Sequence, residues 1–158
     1  VTAREPTVEL RPASDEDREF FGRVYASTRT DELAQVPWTD QAKAGFLAQQ
    51  FQAQTRHYEE HHGDASYDVV LVDGAQGGRL IVDRSTDAIQ VVDISLLPEF
   101  RGRGIGTRLL REVLADDRAV QVHVERNNPA LHLYERLGFV IVEDTGVYLR
   151  LEVDRVAV

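Results

Sequence analysis

The chain has 158 residues, 42% of them hydrophobic, with 27 acidic against 18 basic side chains and a formal net charge of −9. This length suits one domain with a sizeable core, and the acidic balance argues against a nucleic-acid binder, which must neutralise phosphates. Cysteine is absent, which excludes disulfides, thiolate zinc sites and cysteine nucleophiles. No apolar run approaches the ~20 residues that span a bilayer, and the opening VTAREPTVEL lacks the basic-then-apolar pattern of a signal peptide. Neither nucleic acid nor membrane is therefore expected as a partner, and a cytoplasmic location is.

Val8-Glu9-Leu10-Arg11 alternates apolar and polar and predicts a first strand. Ser14 offers an N-cap, followed by Asp15, Glu16 and Asp17 where a helix dipole favours anions. Phe20, Phe21, Val24 and Tyr25 then recur at helical spacing. Past a Pro37-Trp38 break, Thr39 caps a second helix whose Phe46, Leu47, Phe51 and Tyr58 mark one face as far as His61. Its many Gln and Ala are good helix formers.

Beyond Gly63-Asp64 the hydrophobic period changes from helical to alternating, and Tyr67 to Val72, Arg79 to Asp83 and Ile89 to Leu97 predict three strands. Asp73-Gly74 and Gly77-Gly78 lie between the first two and suggest an antiparallel hairpin. Gly106 to Ala115 predicts an amphipathic helix with Leu109, Leu110, Val113 and Leu114 inward, and Val120 to Glu125 a strand. Pro129 to Leu137 predicts a helix with proline in its first turn and Gly138 as its stop. Phe139 to Glu143 and Val147 to Val153 finish as strands. The order β-α-α-β-β-β-α-β-α-β-β describes an α/β fold, a mixed sheet with helices on both faces, without repeats, low-complexity segments or linkers.

Arg101-Gly102-Arg103-Gly104-Ile105-Gly106 lies between a predicted strand and helix. Amides at that helix N-terminus have no intrahelical acceptor, and glycines would let an anion approach them. A P-loop would need Gly-Lys-Ser/Thr where Gly106-Thr107-Arg108 stands. A dinucleotide fingerprint would need glycine or alanine where Thr107 stands, although Glu125 could mimic its ribose-binding acid. A ligand-free capping turn is a third reading, and three alternating glycines would be a costly way to make one.

The stretch Leu97-Pro98-Glu99-Phe100-Arg101-Gly102-Arg103-Gly104-Ile105-Gly106-Thr107 resembles the pyrophosphate-binding segment of the GNAT superfamily of acyl-CoA-dependent N-acyltransferases. The family pattern Gln/Arg-x-x-Gly-x-Gly/Ala falls on Arg101, Gly104 and Gly106. A second segment, Asn127-Asn128-Pro129-Ala130-Leu131-His132-Leu133-Tyr134-Glu135-Arg136-Leu137-Gly138-Phe139, resembles its Asn-x-x-Ala-x-x-x-Tyr-x-x-x-Gly-Phe. Both occur in the family's order, with the expected helix and strand between them. The resemblance is specific from Ile89 to Phe139 and compatible with the element order elsewhere. It implies one domain over residues 1–158: a first strand and acceptor-side helices in 1–65, then the sheet and acyl-CoA-binding core in 66–158. It also implies a largely antiparallel sheet splayed between its fourth and fifth strands.

What the resemblance implies for the site is a cofactor slot. The pyrophosphate of acetyl-CoA would lie on the amides of Gly102, Arg103, Gly104, Ile105, Gly106 and Thr107, with charge from Arg101 and Arg103. The thioester and pantetheine arm would pair with the backbone around Leu96 and Leu97. Asn127 or Asn128 would contact the cofactor, the two counts along the motif leaving that choice open. Tyr134 matches the tyrosine that protonates the departing thiolate; taken from its helix alone, beside Leu131, Leu133 and Leu137, it reads rather as a core residue. An amine would attack the thioester directly, and no metal is expected.

The general base has two candidates. Asp93 interrupts the apolar run Val91-Val92-Asp93-Ile94, and a carboxylate there is costly unless it has a use or a partner; the alternative is a polar face under the N-terminal helices. His123 alternates with Val122 and Val124, near a position where some family members carry a catalytic acid, and imidazole is a competent base at neutral pH. Glu125 shares its face. His57 and His61 stand four apart, a spacing that can hold a metal but more often marks a solvated helix face. Trp38 and Tyr58, with the acids Asp40, Glu59 and Glu60, would suit an amine pocket or ordinary core and surface. Two functions follow: N-acetylation of a small-molecule or peptide amine, or a non-catalytic acyl-CoA-binding regulatory module. The expected partners are acetyl-CoA and an amine acceptor, with a homodimer as the candidate assembly.

Overall fold

The computed structural model describes residues 4–126, 128 and 130–153. Strand β1 (Val8–Pro12) leads through a single 3-10 turn into helix α1 (Arg18–Thr28), the short α2 (Thr30–Ala34) and the long α3 (Asp40–His61). Strands β2 (Ser66–Val72), β3 (Ala75–Asp83) and β4 (Ile89–Leu96) follow, then α4 (Ile105–Leu114), β5 (Val120–Glu125), α5 (Leu131–Arg136), β6 (Val140–Asp144) and β7 (Tyr148–Val153). The seven strands form one sheet in the order β1-β2-β3-β4-β5-β7-β6. Among the described residues only β4 and β5 run parallel. No helix among the described residues is long and apolar enough to cross a membrane.

Three expectations need correcting. Gly77 and Gly78 lie inside β3, not in the hairpin turn, which is Asp73-Gly74 alone. Both turn residues have positive φ, 50° and 84°, as a two-residue turn matching strand twist requires. Gly78 serves close approach instead: a Cβ there would stand 2.2 Å from the Ser95 carbonyl oxygen. Second, α2 was not anticipated, being too short to show a period. Third, the last helix spans only Leu131–Arg136; Pro129, expected in its first turn, lies outside the described residues.

Alternation along the strands divides the core between the two faces. On one face Val70, Val72, Leu80, Val82, Ile89, Val91, Val120, Val122 and Val124 meet Ile105, Leu109, Leu110, Val113 and Leu114 of α4 and Tyr134 of α5. On the other, Phe20, Phe21 and Val24 of α1 cover Val69, with Phe51 of α3 packed against them.

The feature that positions the site is a break in the sheet. Strands β4 and β5 pair only over Ile89–Val91 and Val120–Val122, although they continue to Leu96 and Glu125. On its other side β4 stays paired to β3, but the register slips: Val82 opposes Val91 and Ile81 opposes Asp93. Val92 is thus an extra residue, a bulge that bends β4 where it leaves β5.

Candidate active site

The glycine loop enters α4 along a left-handed path. Gly102 and Gly104 have φ of 71° and 77°, and Gly104 is the residue preceding the first helical turn. Nothing lies within 4 Å of where either Cβ would be. The first helical bond is the Arg108 N–H to the Gly104 carbonyl at 3.1 Å, so the amides of Ile105, Gly106 and Thr107 precede the helical ladder. Gly106 does something else: its Cβ position is 3.3 Å from Leu133 Cδ2, so its bare backbone lets α5 pack close to α4. Arg101 is turned away from these amides. Its Nε donates to the Leu96 carbonyl at 2.9 Å and its Nη2 to Ser27 Oγ at 3.2 Å. Arg103 lies over the Phe100 ring, 5.8 Å from its centroid.

Backbone accounting defines the slot. The Leu97 N–H donates to the Gly77 carbonyl at 2.8 Å. In an extended strand the polar groups of alternate residues point to opposite edges. Those of Ile94 and Leu96 therefore face away from β3, into the gap left by β5. Leu97, expected to offer its backbone there, faces β3 instead. With the Leu96 carbonyl taken by Arg101, the Leu96 amide and the polar groups of Ile94 line the gap.

Tyr134 projects from α5 with 3% exposure, its ring 5.5 Å from Phe139 in an edge-on contact. Burial raises its phenol well above the ordinary range, with a further push from the Asp93 charge. Asp93 itself lies on the opposite face, since its neighbours Ile94 and Leu96 pack on the α4 side.

Asp93 has a partner. One carboxylate oxygen pairs with the Arg79 guanidinium and the other accepts from Ser95 Oγ at 2.6 Å. Arg79 is buried beneath Phe21, Phe51 and Tyr58, whose centroids lie 5.3 to 5.9 Å from its Cζ, and also donates to Gln54 Oε1 at 2.9 Å. Its Nε is buried without a hydrogen-bond partner among the described residues. Asp93 thus lies on the polar face under the N-terminal helices, held by Arg79 and Ser95. Arg79 was missed; its signal is a lone cation in the apolar run Leu80-Ile81-Val82, matching a lone acid in the next strand.

His123 occupies the same face as Asp93, because Val122 and Val124 point into the α4 core. It is exposed and stands opposite Arg150 on β7. Partial burial, then the Arg150 cation, lower its pKa, while Glu143 opposes them. Neutral imidazole is thus favoured. Asn128 turns the chain just ahead of α5, its Oδ1 accepting from the Ala130 N–H at 2.9 Å; Asn127 lies outside the described residues.

Residues 64–141 match the family described as the acetyltransferase (GNAT) domain. The chain carries a GNAT domain. No curated protein sequence matches it, but solved structures share the fold. The PaiA N-acetyltransferase of Thermoplasma acidophilum, solved with coenzyme A, is 17% identical with a TM-score of 0.71, over 94% of this chain and 99% of that one. An acetyltransferase from Corynebacterium glutamicum described as histone acetyltransferase HPA2 and related is 21% identical with a TM-score of 0.67, over 98% and 99%. The Vibrio cholerae spermidine N-acetyltransferase, solved with CoA and spermine, is 20% identical with a TM-score of 0.61, over 92% and 94%.

The remaining residues singled out in this GNAT chain do not converge. Trp38 is 46% exposed and packs edge-on against Phe46. Asp40 begins α3 whereas Glu59 and Glu60 end it, so at 1.5 Å per residue they stand roughly 30 Å apart and cannot share a pocket. His57 and His61 stack with centroids 4.3 Å apart. Among the described residues they belong to no cluster of three or more metal-ligating side chains.

Proposed function

We propose that this GNAT protein is an acetyl-CoA-dependent N-acetyltransferase acting on a primary amine of a small molecule or peptide. What supports this reading is the buried Tyr134 phenol, kept protonated by burial and by the Asp93 charge and standing where the motif resemblance expects the proton donor. A module that only held acyl-CoA would not need one there. The loop suits the pyrophosphate, because two left-handed glycines leave the α4 amides open and nothing occupies their Cβ space.

The amine nitrogen attacks the thioester carbon, forming the C–N bond while the carbonyl electron pair moves to oxygen. The Leu96 amide, or that of Ile94, stabilises this oxyanion by hydrogen bonding. As the intermediate collapses, the C–S bond breaks and sulfur leaves with the electron pair. Tyr134 supplies its phenolic proton to that thiolate. The surplus proton on nitrogen passes to His123, directly or through water, whose lowered pKa leaves the ring able to accept it. Asp93, held by Arg79 and Ser95, contributes a fixed negative charge that favours protonated Tyr134. No metal enters the scheme.

The test is release of free thiol from acetyl-CoA across a panel of amines, with mass spectrometry of the acetylated product. Thiol release that depends on one amine class and yields an N-acetyl product supports the proposal. Tight CoA binding without amine-dependent release identifies the non-catalytic module instead.

A further inference from the structure

Beyond Val91 and Val122, the last residues to pair across the gap, strand alternation puts Asp93 and Ser95 of β4 on the face of the N-terminal helices. His123 and Glu125 of β5 share that face. Ser95 lies opposite Arg79 in the β3–β4 register, and residues so paired project to the same side. It also stands between Ile94 and Leu96, whose backbone groups line the gap. Its hydroxyl is thus the polar group of β4 nearest that edge on the side where His123 stands.

The direction of the hydrogen bonds here is fixed. Arg79 is buried and carries its guanidinium charge at every working pH, so its partner Asp93 is ionised to neutralise it. An ionised carboxylate only accepts. The 2.6 Å contact between Ser95 Oγ and Asp93 therefore uses the single hydroxyl proton of the serine. Only lone pairs remain on that oxygen, which makes no other hydrogen bond among the described residues. Stability does not explain the arrangement. A buried ion pair seldom outdoes apolar side chains of the same volume, and this one leaves Arg79 Nε without a partner among the described residues, a further cost.

We propose that Ser95 binds the acceptor: its hydroxyl oxygen, held as a pure hydrogen-bond acceptor by Asp93 and Arg79, takes one N–H of the attacking amine and aims the nitrogen lone pair at the thioester carbon. This rests on the N-acetyltransferase reading and adds a selection rule to it. Ser95 accepts, and so does His123 as the proposed base. The nucleophile must then donate twice while keeping a lone pair for the attack. A primary amine does so. An N-methyl amine has one N–H and an alcohol one O–H, so each satisfies one acceptor and leaves the other unpaired. The bonds made and broken are those of the acetyl transfer, and Ser95 keeps its own proton. Ser95 touches the substrate, whereas Asp93 and Arg79 act through it as positioning residues.

Initial rates test this, taken with the best primary amine found by thiol release and with its N-methyl homologue and the alcohol of the same skeleton. The native chain should prefer the primary amine. Ser95→Ala should lower kcat/KM for that amine by ~10-fold, the order of one lost hydrogen bond, with KM for acetyl-CoA unchanged. The primary-to-N-methyl preference should shrink by the same factor, and Ser95→Thr, which keeps the hydroxyl, should restore both. In Asp93→Asn the side-chain amide donates to Ser95 and turns its proton outward, so the preference should be lost with Ser95 in place. If that variant melts below the assay temperature, the two Ser95 variants decide alone. A native chain indifferent to N-methylation overturns the assignment and leaves the acetyl-transfer reading intact. A Ser95→Ala variant that slows both amines equally does the same, because that is the signature of a structural role. Absence of amine-dependent thiol release from the native chain overturns both.

Discussion

The Tyr134 phenol sits where burial and the Asp93 charge both favour its neutral form. Its proton is therefore retained across the neutral and mildly alkaline range, as the role proposed for it, protonating the thiolate, requires. Tyr134→Phe should lower kcat by ~10²–10³-fold and leave CoA affinity nearly unchanged, since the hydroxyl is needed only as sulfur leaves. Turnover by stopped assay and affinity by calorimetry separate the two. His123 makes the opposite kind of prediction. Its folded-state pKa lies below the ordinary imidazole value, so the base form persists to lower pH than usual. kcat/KM should fall as acid protonates the ring, through an apparent pKa below ~6.5. That acid limb should be missing in His123→Ala. An acceptor amine of lower pKa must give the same limb, or the titration belongs to the substrate.

At the scale of elements, glycines of one composition do different work. Gly104 needs a left-handed backbone in open space, so Gly104→Leu should cost ~1–2 kcal/mol of strain yet fold, while obstructing the α4 amides and abolishing CoA binding. Gly78→Ala meets the Ser95 carbonyl of β4 and should cost about 3 kcal/mol or more in stability, by pushing two paired strands apart. Denaturant unfolding and calorimetry on both variants check the contrast. The sequence supported the loop and Tyr134 because each motif is local, its spacing readable along a single strand-turn-helix or helix. The amphipathic α4 was legible for the same reason: Leu109, Leu110, Val113 and Leu114 share one face. The Arg79–Asp93 pair was not. It depends on the β3–β4 register, which the Val92 bulge shifts, and no one-dimensional pattern announces a bulge. Gly77-Gly78 was misread as turn because a glycine pair has the same composition whether it bends a chain or admits a neighbour.

Across the whole molecule, the C-terminal end of α3 is tied to the sheet by Asp83. This buried carboxylate accepts from His62 Nδ1 at 2.8 Å and from Ser85 Oγ and N–H at 2.5 and 2.9 Å. Those bonds push its pKa down to about 2. Because the folded value lies below the unfolded one, the stabilisation is fully present above pH ~4 and is lost as pH falls toward 2. Urea midpoints measured from pH 5 to pH 2.5 should fall, and Asp83→Asn should flatten that slope. The parted strands carry a different consequence. Where β4 and β5 part, a ligand that supplied hydrogen bonds to Ile94 and Leu96 would continue the ladder as a strand does. Folding and occupancy are then linked equilibria, in which the ligand counts as part of the fold. At a hundredfold excess over Kd, CoA should add ~2.7 kcal/mol of stability and raise Tm by roughly 5–10 °C. Scanning calorimetry with Gly104→Leu beside the native chain reads this directly: the variant should melt at one temperature, with or without CoA.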